Sequence, residues 1–173
     1  IKPCLIAVDE AHCISQWGYD FRPPYLRIAN LREQLPGVPV IALTASATLD
    51  VQNDICEKLN FSGEQKRYQQ SFARPNLSYS IFSPPSKQIK LVEVLKKVSG
   101  SSIVYCKSRR RTQSLAEMLI QNNISAEYYH AGLTGEQRNT RQEEWINNKT
   151  RVIVSTNAFG MGIDKPDVRT VIH

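Results

Sequence analysis

Short apolar runs of strand length, each followed by a stretch whose apolar residues recur at helical spacing, recur along this chain and leave it few folds. Leu5 to Val8 and Val40 to Leu43 are such runs, and Tyr25 to Gln34 and Leu49 to Leu59 are the helical stretches that follow them. The alternation restarts with a helical stripe of Ile89, Leu91, Val92, Leu95 and Val98, then a buried strand at Ile103-Val104-Tyr105. Ser108 caps a helix running to about Asn122, with Leu115, Met118 and Leu119 facing inward. Ala126 to Tyr129, Val152 to Ser155 and Val168 to Ile172 read as further strands, and Gly135 to Asn147 as a helix. Strands joined through helices pair in parallel, so the expected class is α/β, with parallel sheets flanked by helices.

Between the two stretches of alternation lies Phe72 to Pro85, where Arg74-Pro75-Asn76 and Ser83-Pro84-Pro85-Ser86 bracket an alternating Leu77, Tyr79, Ile81 run. This composition reads as a connector, and the expected division is 1–74 and 75–173. Charge follows the same division. Residues 1–74 hold eight Lys/Arg and eight Asp/Glu, whereas 75–173 hold fourteen and eight, so the net charge of +6 belongs to the second part. A polyanionic partner fits that excess, and so does a merely solvated basic surface.

Cys4, Cys13, Cys56 and Cys106 include no C-x-x-C pair, which argues against a zinc knuckle or a disulfide framework and for reduced thiols. There is no run of about 18 apolar residues, and the first residues lack the layout of a signal peptide. The expectation is a soluble protein of the cytoplasm or, in a eukaryote, the nucleus, with no membrane partner.

The first strand ends in Asp9-Glu10-Ala11-His12. Two adjacent carboxylates on a buried strand tip suit a metal-nucleotide site: Asp9 can hold a hydrated Mg²⁺ against phosphate oxygens, while Glu10 orients or deprotonates the attacking water. A strand end with a capping carboxylate explains the same residues without chemistry. Zinc is disfavoured on spacing, because no His follows His12 four residues on and no Cys pair completes a tetrahedron. No G-x-x-x-x-G-K-[ST] phosphate loop occurs in the 173 residues, so the chain reads as a segment of a larger nucleotide-driven motor.

Downstream, Trp17, Tyr19 and Phe21 lie within five residues, interleaved with Gly18, Asp20 and Arg22. The spacing matches neither a strand nor a helix, which favours an exposed loop. Trp17 and Phe21 suit stacking on unpaired bases, with Arg22 on a phosphate; the alternative is that Trp17 plugs a small cavity. Leu43-Thr44-Ala45-Ser46-Ala47-Thr48 ends the next strand in hydroxyls and small residues, suited to relaying hydrogen bonds, although Thr48 also reads as a plain helix cap.

Taken in order, Asp-Glu-Ala-His, the aromatic loop, Leu-Thr-Ala-Ser-Ala-Thr, Phe72-Ala73-Arg74-Pro75-Asn76, Ile103-Val104-Tyr105-Cys106, Tyr129-His130-Ala131-Gly132 and Ala158-Phe159-Gly160-Met161-Gly162-Ile163-Asp164-Lys165-Pro166 resemble the RecQ family of DNA helicases. The resemblance spans essentially the whole chain. It implies two RecA-like lobes, the first incomplete at 1–74 and the second at 75–173. It also implies a motor that uses ATP and Mg²⁺ to translocate 3′ to 5′ on single-stranded DNA and to unwind duplex DNA and its junctions.

Carried over by position, Asp9 is the Mg²⁺ ligand through water, Glu10 activates the hydrolytic water, and His12 couples hydrolysis to DNA. Thr44, Ser46 and Thr48 join the lobes. Trp17, Phe21 and Arg22 form a DNA-sensing loop, and Ser108, Arg109, His130, Gly132, Ser155, Thr156 and Asn157 approach the DNA strand. Ser108 and Arg109 suit backbone phosphate through a helix N-terminus, whereas His130 is also explained as a satisfied packing group. Asp164 resembles the family's ribose contact, and Gly162, like Gly160, permits a tight turn there.

Two departures from the family stand out. Tyr19 occupies a position that is commonly His, so a proton-switchable cation is lost there. The phosphate loop and the arginine-bearing motif fall outside the chain, and the fragment is expected not to hydrolyse ATP by itself. The other readings are a nucleic-acid-binding module without motor activity and a Mg²⁺-dependent phosphohydrolase, in which Trp17, Phe21 and Arg22 have no purpose.

Overall fold

The computed structural model describes residues 3–17, 20–61, 65–71, 73–160 and 162–173. The chain divides into two units, 1–76 and 77–173.

In the first unit, β1 (Ile6–Val8) and β2 (Val40–Ala42) pair in parallel, with Ile6 opposite Val40 and Val8 opposite Ala42. Helix α1 (Ala29–Gln34) is short, and α2 (Leu49–Lys58) is the main helix. The sequence starts α2 cleanly: Thr48 accepts a hydrogen bond from the Val51 amide at 3.5 Å, Asp50 lies in the first turn and Lys58 in the last, complementing the helix dipole. Val51, Ile55 and Leu59 share one face and form a core with Val8, Ala11 and Ile14. Arg32 on α1 donates to the carbonyls of Leu59 and Asn60, satisfying acceptors that the end of α2 leaves open.

One stretch departs from expectation. Tyr25 to Gln34 is not a continuous α-helix, because Pro23–Ile28 is a 3-10 turn and only Ala29–Gln34 is α-helical. Pro23 and Pro24 carry no N–H donor, so the first turns form few ladder bonds and tighten.

In the second unit four parallel strands lie in the order β4-β5-β3-β6, with β3 at Ser101–Tyr105, β4 at Ala126–Tyr129, β5 at Val152–Ser155 and β6 at Val168–Ile172. Helices α3 (Lys87–Lys97), α4 (Arg109–Gln121) and α5 (Gly135–Ile146) cover the sheet. Strand β5 is buried at all four positions, and its side chains alternate between two clusters. Val152 and Val154 pack with Leu91, Leu95, Leu115 and Leu119; Ile153 packs with Tyr129, Trp145 and Phe159. This is the α/β arrangement that the alternation predicts, a parallel sheet covered on both faces.

Ser86, Ser108 and Thr134 each cap their helix through the side-chain oxygen, and Thr134 with Gln137 does so reciprocally. The Leu77, Tyr79, Ile81 run forms no strand, and all three side chains are exposed. Among the described residues no helix is long and apolar enough to cross a membrane.

Candidate functional site

Parallel pairing brings the carboxyl ends of neighbouring strands to one edge of a sheet, and in open α/β sheets that edge holds the ligand. In the first unit the edge carries Asp9, Glu10 and His12 after β1 and Thr44 after β2. Asp9 and Glu10 are exposed, while His12 is buried. The Glu10 amide donates to Asp9 Oδ1 at 2.8 Å, and the Glu10 backbone is left-handed at φ 49, ψ 41. That conformation is uncommon for a long side chain. It turns the chain directly into the 3-10 turn Ala11–Ile14, all four residues of which are buried.

His12 Nδ1 lies 2.9 Å from Thr44 Oγ1 and 3.2 Å from Glu10 Oε2. A buried imidazole therefore links the carboxylate at one strand tip to the hydroxyl at the next. Thr44 Oγ1 also accepts from the Ser46 amide at 3.4 Å. Ser46 itself is exposed, and the Thr48 hydroxyl is occupied as the cap of α2.

Trp17 is 78% exposed, Phe21 is half-buried and Arg22 is exposed. The Trp17 amide donates to Ser15 Oγ at 3.2 Å, and the Arg22 amide donates to the Cys13 carbonyl at 2.8 Å, closing the loop at its base. Trp17 borders a groove of about 410 Å³ whose other walls are Asp50, Asn53, Asp54 and Glu57. Those carboxylates repel phosphate, so a base stacked on Trp17 must keep its backbone clear of α2.

Arg22 qualifies its expected role. Its guanidinium donates to Asp20 Oδ2 at 2.6 Å, and this hydrogen bond holds the Asp20 carboxyl below the usual carboxylate range. A phosphate at Arg22 has to compete with Asp20. Gly18 and Tyr19 lie outside the described residues, as do Phe72 and Met161, so the Tyr19 departure has no structural description.

In the second unit the corresponding edge carries Ser108 and Arg109 after β3, His130 and Gly132 after β4, and Thr156 and Asn157 after β5. Ser108 Oγ accepts from the Arg111 amide at 3.3 Å as the cap of α4. Arg109, His130 and Gly132 converge: a Cβ on Gly132 would lie 3.0 Å from Arg109 Nη1 and 3.3 Å from His130 Nδ1. His130 Nδ1 is buried with no hydrogen-bond partner among the described residues, and its ring tilts against Tyr128. A guanidinium and an imidazole beside a helix N-terminus form an electropositive corner.

Ser155 requires a correction. Its side chain is fully buried, and its hydroxyl lies 3.0 Å from the Tyr129 carbonyl and 2.6 Å from that of Thr156, so it cannot reach a DNA phosphate. The cause is that β5 is covered on both faces, so its last residue is buried whichever side of the sheet it occupies. Thr156 is half-buried with Oγ1 3.5 Å from the Ala158 amide, and Asn157 is exposed.

Asp164 and Gly162 are exposed, and Gly162 adopts φ +72. The loop that carries them is held at both ends. Tyr105 donates its hydroxyl to the Phe159 carbonyl at 2.9 Å, burial pushes its pKa up, and its ring stacks on His173 at 5.1 Å. At the other end the buried Lys165 amine pairs with Asp167 at 2.7 Å and donates to Asn148 Oδ1 at 2.8 Å and the Ile146 carbonyl at 3.1 Å. Spacing does not reveal Tyr105 or Asp20 as neighbours of the site. Lys165 stands inside a motif, but nothing in the pattern shows that its amine is buried.

Residues 86–173 match the helicase conserved C-terminal domain. Over 171 residues, 96% of this chain and 17% of the relative, the sequence is 47% identical to the RecQ-like DNA helicase blm-1 of Caenorhabditis elegans. It is 43% identical over 175 residues to the ATP-dependent DNA helicase RecQ of Haemophilus influenzae, covering 99% of this chain and 28% of that protein. The chain thus spans less than a third of either relative. Among solved structures, Saccharomyces cerevisiae Dbp5 bound to RNA and ADP BeF3 matches 96% of the chain and 43% of its own, with a TM-score of 0.70 at 18% identity, a likeness of fold.

Proposed function

Because this chain belongs to the helicase family that the conserved C-terminal domain defines, and is similar to RecQ DNA helicases along nearly its whole length, we propose that it forms part of an ATP-dependent 3′ to 5′ DNA helicase. Residues 1–74 contribute to the first lobe of the motor and 75–173 to the second. The observation that carries the reading is the buried His12 Nδ1, which meets both Glu10 Oε2 and Thr44 Oγ1.

Glu10 is the general base. Its exposed carboxylate stands at a fixed strand tip, where it orients the attacking water and takes its proton. His12 and Thr44 connect that carboxylate to the segment Ser46 to Thr48, so a movement of one strand tip is felt at the other. Asp9 suits Mg²⁺ held through water: its residue is exposed, and one carboxylate oxygen accepts the Glu10 amide, which steadies the group. When bound, the ion neutralises phosphate charge on ATP. Asp164 contacts the ribose from a loop that Gly162 allows to turn.

Single-stranded DNA is held by two kinds of contact. Trp17 and Phe21 supply stacking surface, with Arg22 released from Asp20 to a phosphate. Arg109, His130 and Gly132, with Ser108, Thr156 and Asn157, present the electropositive edge of the second unit to the backbone.

The test uses the whole protein that contains this chain. Glu10→Gln is expected to abolish DNA-stimulated ATP hydrolysis while nucleotide binding persists, because only the proton acceptor is lost. Thr44→Val is expected to lower DNA-stimulated turnover more than basal turnover. Retained hydrolysis in the first variant removes Glu10 from catalysis, and equal loss of both rates in the second removes the relay.

A further inference from the structure

We propose that His12, Cys13 and Asp20 form a binding site for one divalent ion of the zinc class at the base of the aromatic loop. One ligand atom from each lies within 4.8 Å of the other two. Imidazole, thiolate and carboxylate are the zinc donor set, and three protein ligands leave a fourth position for water. His12 and Cys13 are 3% and 1% exposed, so two donors are fixed by the core of the first unit. Asp20 supplies the third from the far side of the loop, through a side chain that is 41% exposed.

The surroundings match an outer shell. A ligating imidazole is usually oriented by a carboxylate or hydroxyl on its other side. Glu10 Oε2 and Thr44 Oγ1 stand within 3.2 Å and 2.9 Å of the His12 ring. Asp20 Oδ2 takes the Arg22 guanidinium at 2.6 Å and lies 3.7 Å from Cys13 Sγ, which leaves Oδ1 to turn toward an ion while Arg22 keeps the carboxylate aligned. Zinc bonds of about 2.0–2.3 Å set ligand atoms roughly 3.5 Å apart, so occupancy needs no more than about 1 Å of approach between any two of the three groups, and less for Cys13 and Asp20, which are already 3.7 Å apart.

The chemistry balances as ligand substitution: the Cys13 thiol gives its proton to solvent and its sulfur a pair of electrons to the metal. Burial and the neighbouring Asp20 push this thiol's pKa up, and the charge of the ion reverses that direction. Local spacing misses the site because Asp20 reaches it only through the fold of the loop. An ion there fastens the Trp17 loop to the turn that carries His12, which makes the base of the loop sensitive to metal supply.

Titration of the reduced 173-residue chain with Co²⁺ is the test, read by the thiolate-to-cobalt charge-transfer band. One equivalent is expected to give a band that disappears in Cys13→Ser and weakens at least about tenfold in apparent affinity in Asp20→Asn. A variant with Cys4, Cys56 and Cys106 all changed to Ser keeps the band. Far-ultraviolet circular dichroism in chelator confirms that each variant is folded, and a Cys13→Ala chain replaces Cys13→Ser if that one is not. Absence of the band in the parent chain, or its persistence without Cys13, overturns the proposal.

Discussion

The Tyr105 hydroxyl donates to the carbonyl of Phe159 at 2.9 Å, and the same oxygen stands 2.8 Å from where a Cβ on Gly160 would be. Gly160 adopts φ +128, so both the backbone and the tyrosine demand glycine. Gly160→Ala is expected to destabilise the second unit by about 1–3 kcal/mol, and Tyr105→Phe by about 1 kcal/mol. The double variant should lose less than the sum, because the hydroxyl that clashes is the one removed. Thermal unfolding of the four proteins measures the coupling, and strict additivity refutes the contact.

The two tryptophans differ in setting, Trp17 being 78% exposed and Trp145 1% exposed. Trp17→Phe should remove the red-shifted part of the emission and change stability by less than about 0.5 kcal/mol. Single-stranded DNA should quench what Trp17 contributes, and less so as salt rises. Emission that stays unchanged in Trp17→Phe would show the exposed indole to be elsewhere.

Trp145 packs edge-on against Phe159 at 5.2 Å, in the cluster that covers one face of β5. Trp145→Ala should cost about 3–5 kcal/mol, read as a lower melting temperature of the second unit with that of the first unit unmoved. Loss confined to less than about 1 kcal/mol would mean that the cavity collapses.

Acid should weaken the anchor at Lys165. The hydrogen bond from Lys165 holds the Asp167 carboxyl below its ordinary range, so folded Asp167 binds a proton less readily than unfolded Asp167. Its stabilisation is complete above the ordinary carboxylate value of about 3.9 and drains away as pH falls through the lower folded value. Melting temperatures taken from neutral pH down to about pH 3 should fall less steeply in Asp167→Asn. Parallel curves would remove Asp167 from the acid response.

The sheet of the second unit is the most legible part of the sequence. Ala126–Tyr129, Val152–Ser155 and Val168–Ile172 are strands with the bounds the sequence suggests. The central β5 is buried at all four positions and tolerates few polar side chains, whereas the edge strands β4 and β6 carry Glu127, Arg169 and Thr170 at positions that are not fully buried. The stretch 25–34 misleads, since apolar spacing alone does not distinguish an α-helix from the tighter turn that Pro23 and Pro24 impose. At the candidate site, parallel pairing is enough to bring Asp9 and Thr44 to one edge. It does not disclose that Asp20 already engages Arg22, or that Ser155 spends its hydroxyl on neighbouring carbonyls, because both depend on side-chain direction.

The left-handed backbone at Glu10 sets two demands against each other. Glycine would relax that residue by about 1 kcal/mol and make the first unit harder to melt. It would also take away the carboxylate that faces His12. The version of this turn that best resists heat lacks the carboxylate proposed as the general base, so ranking variants here by heat resistance alone would select against it.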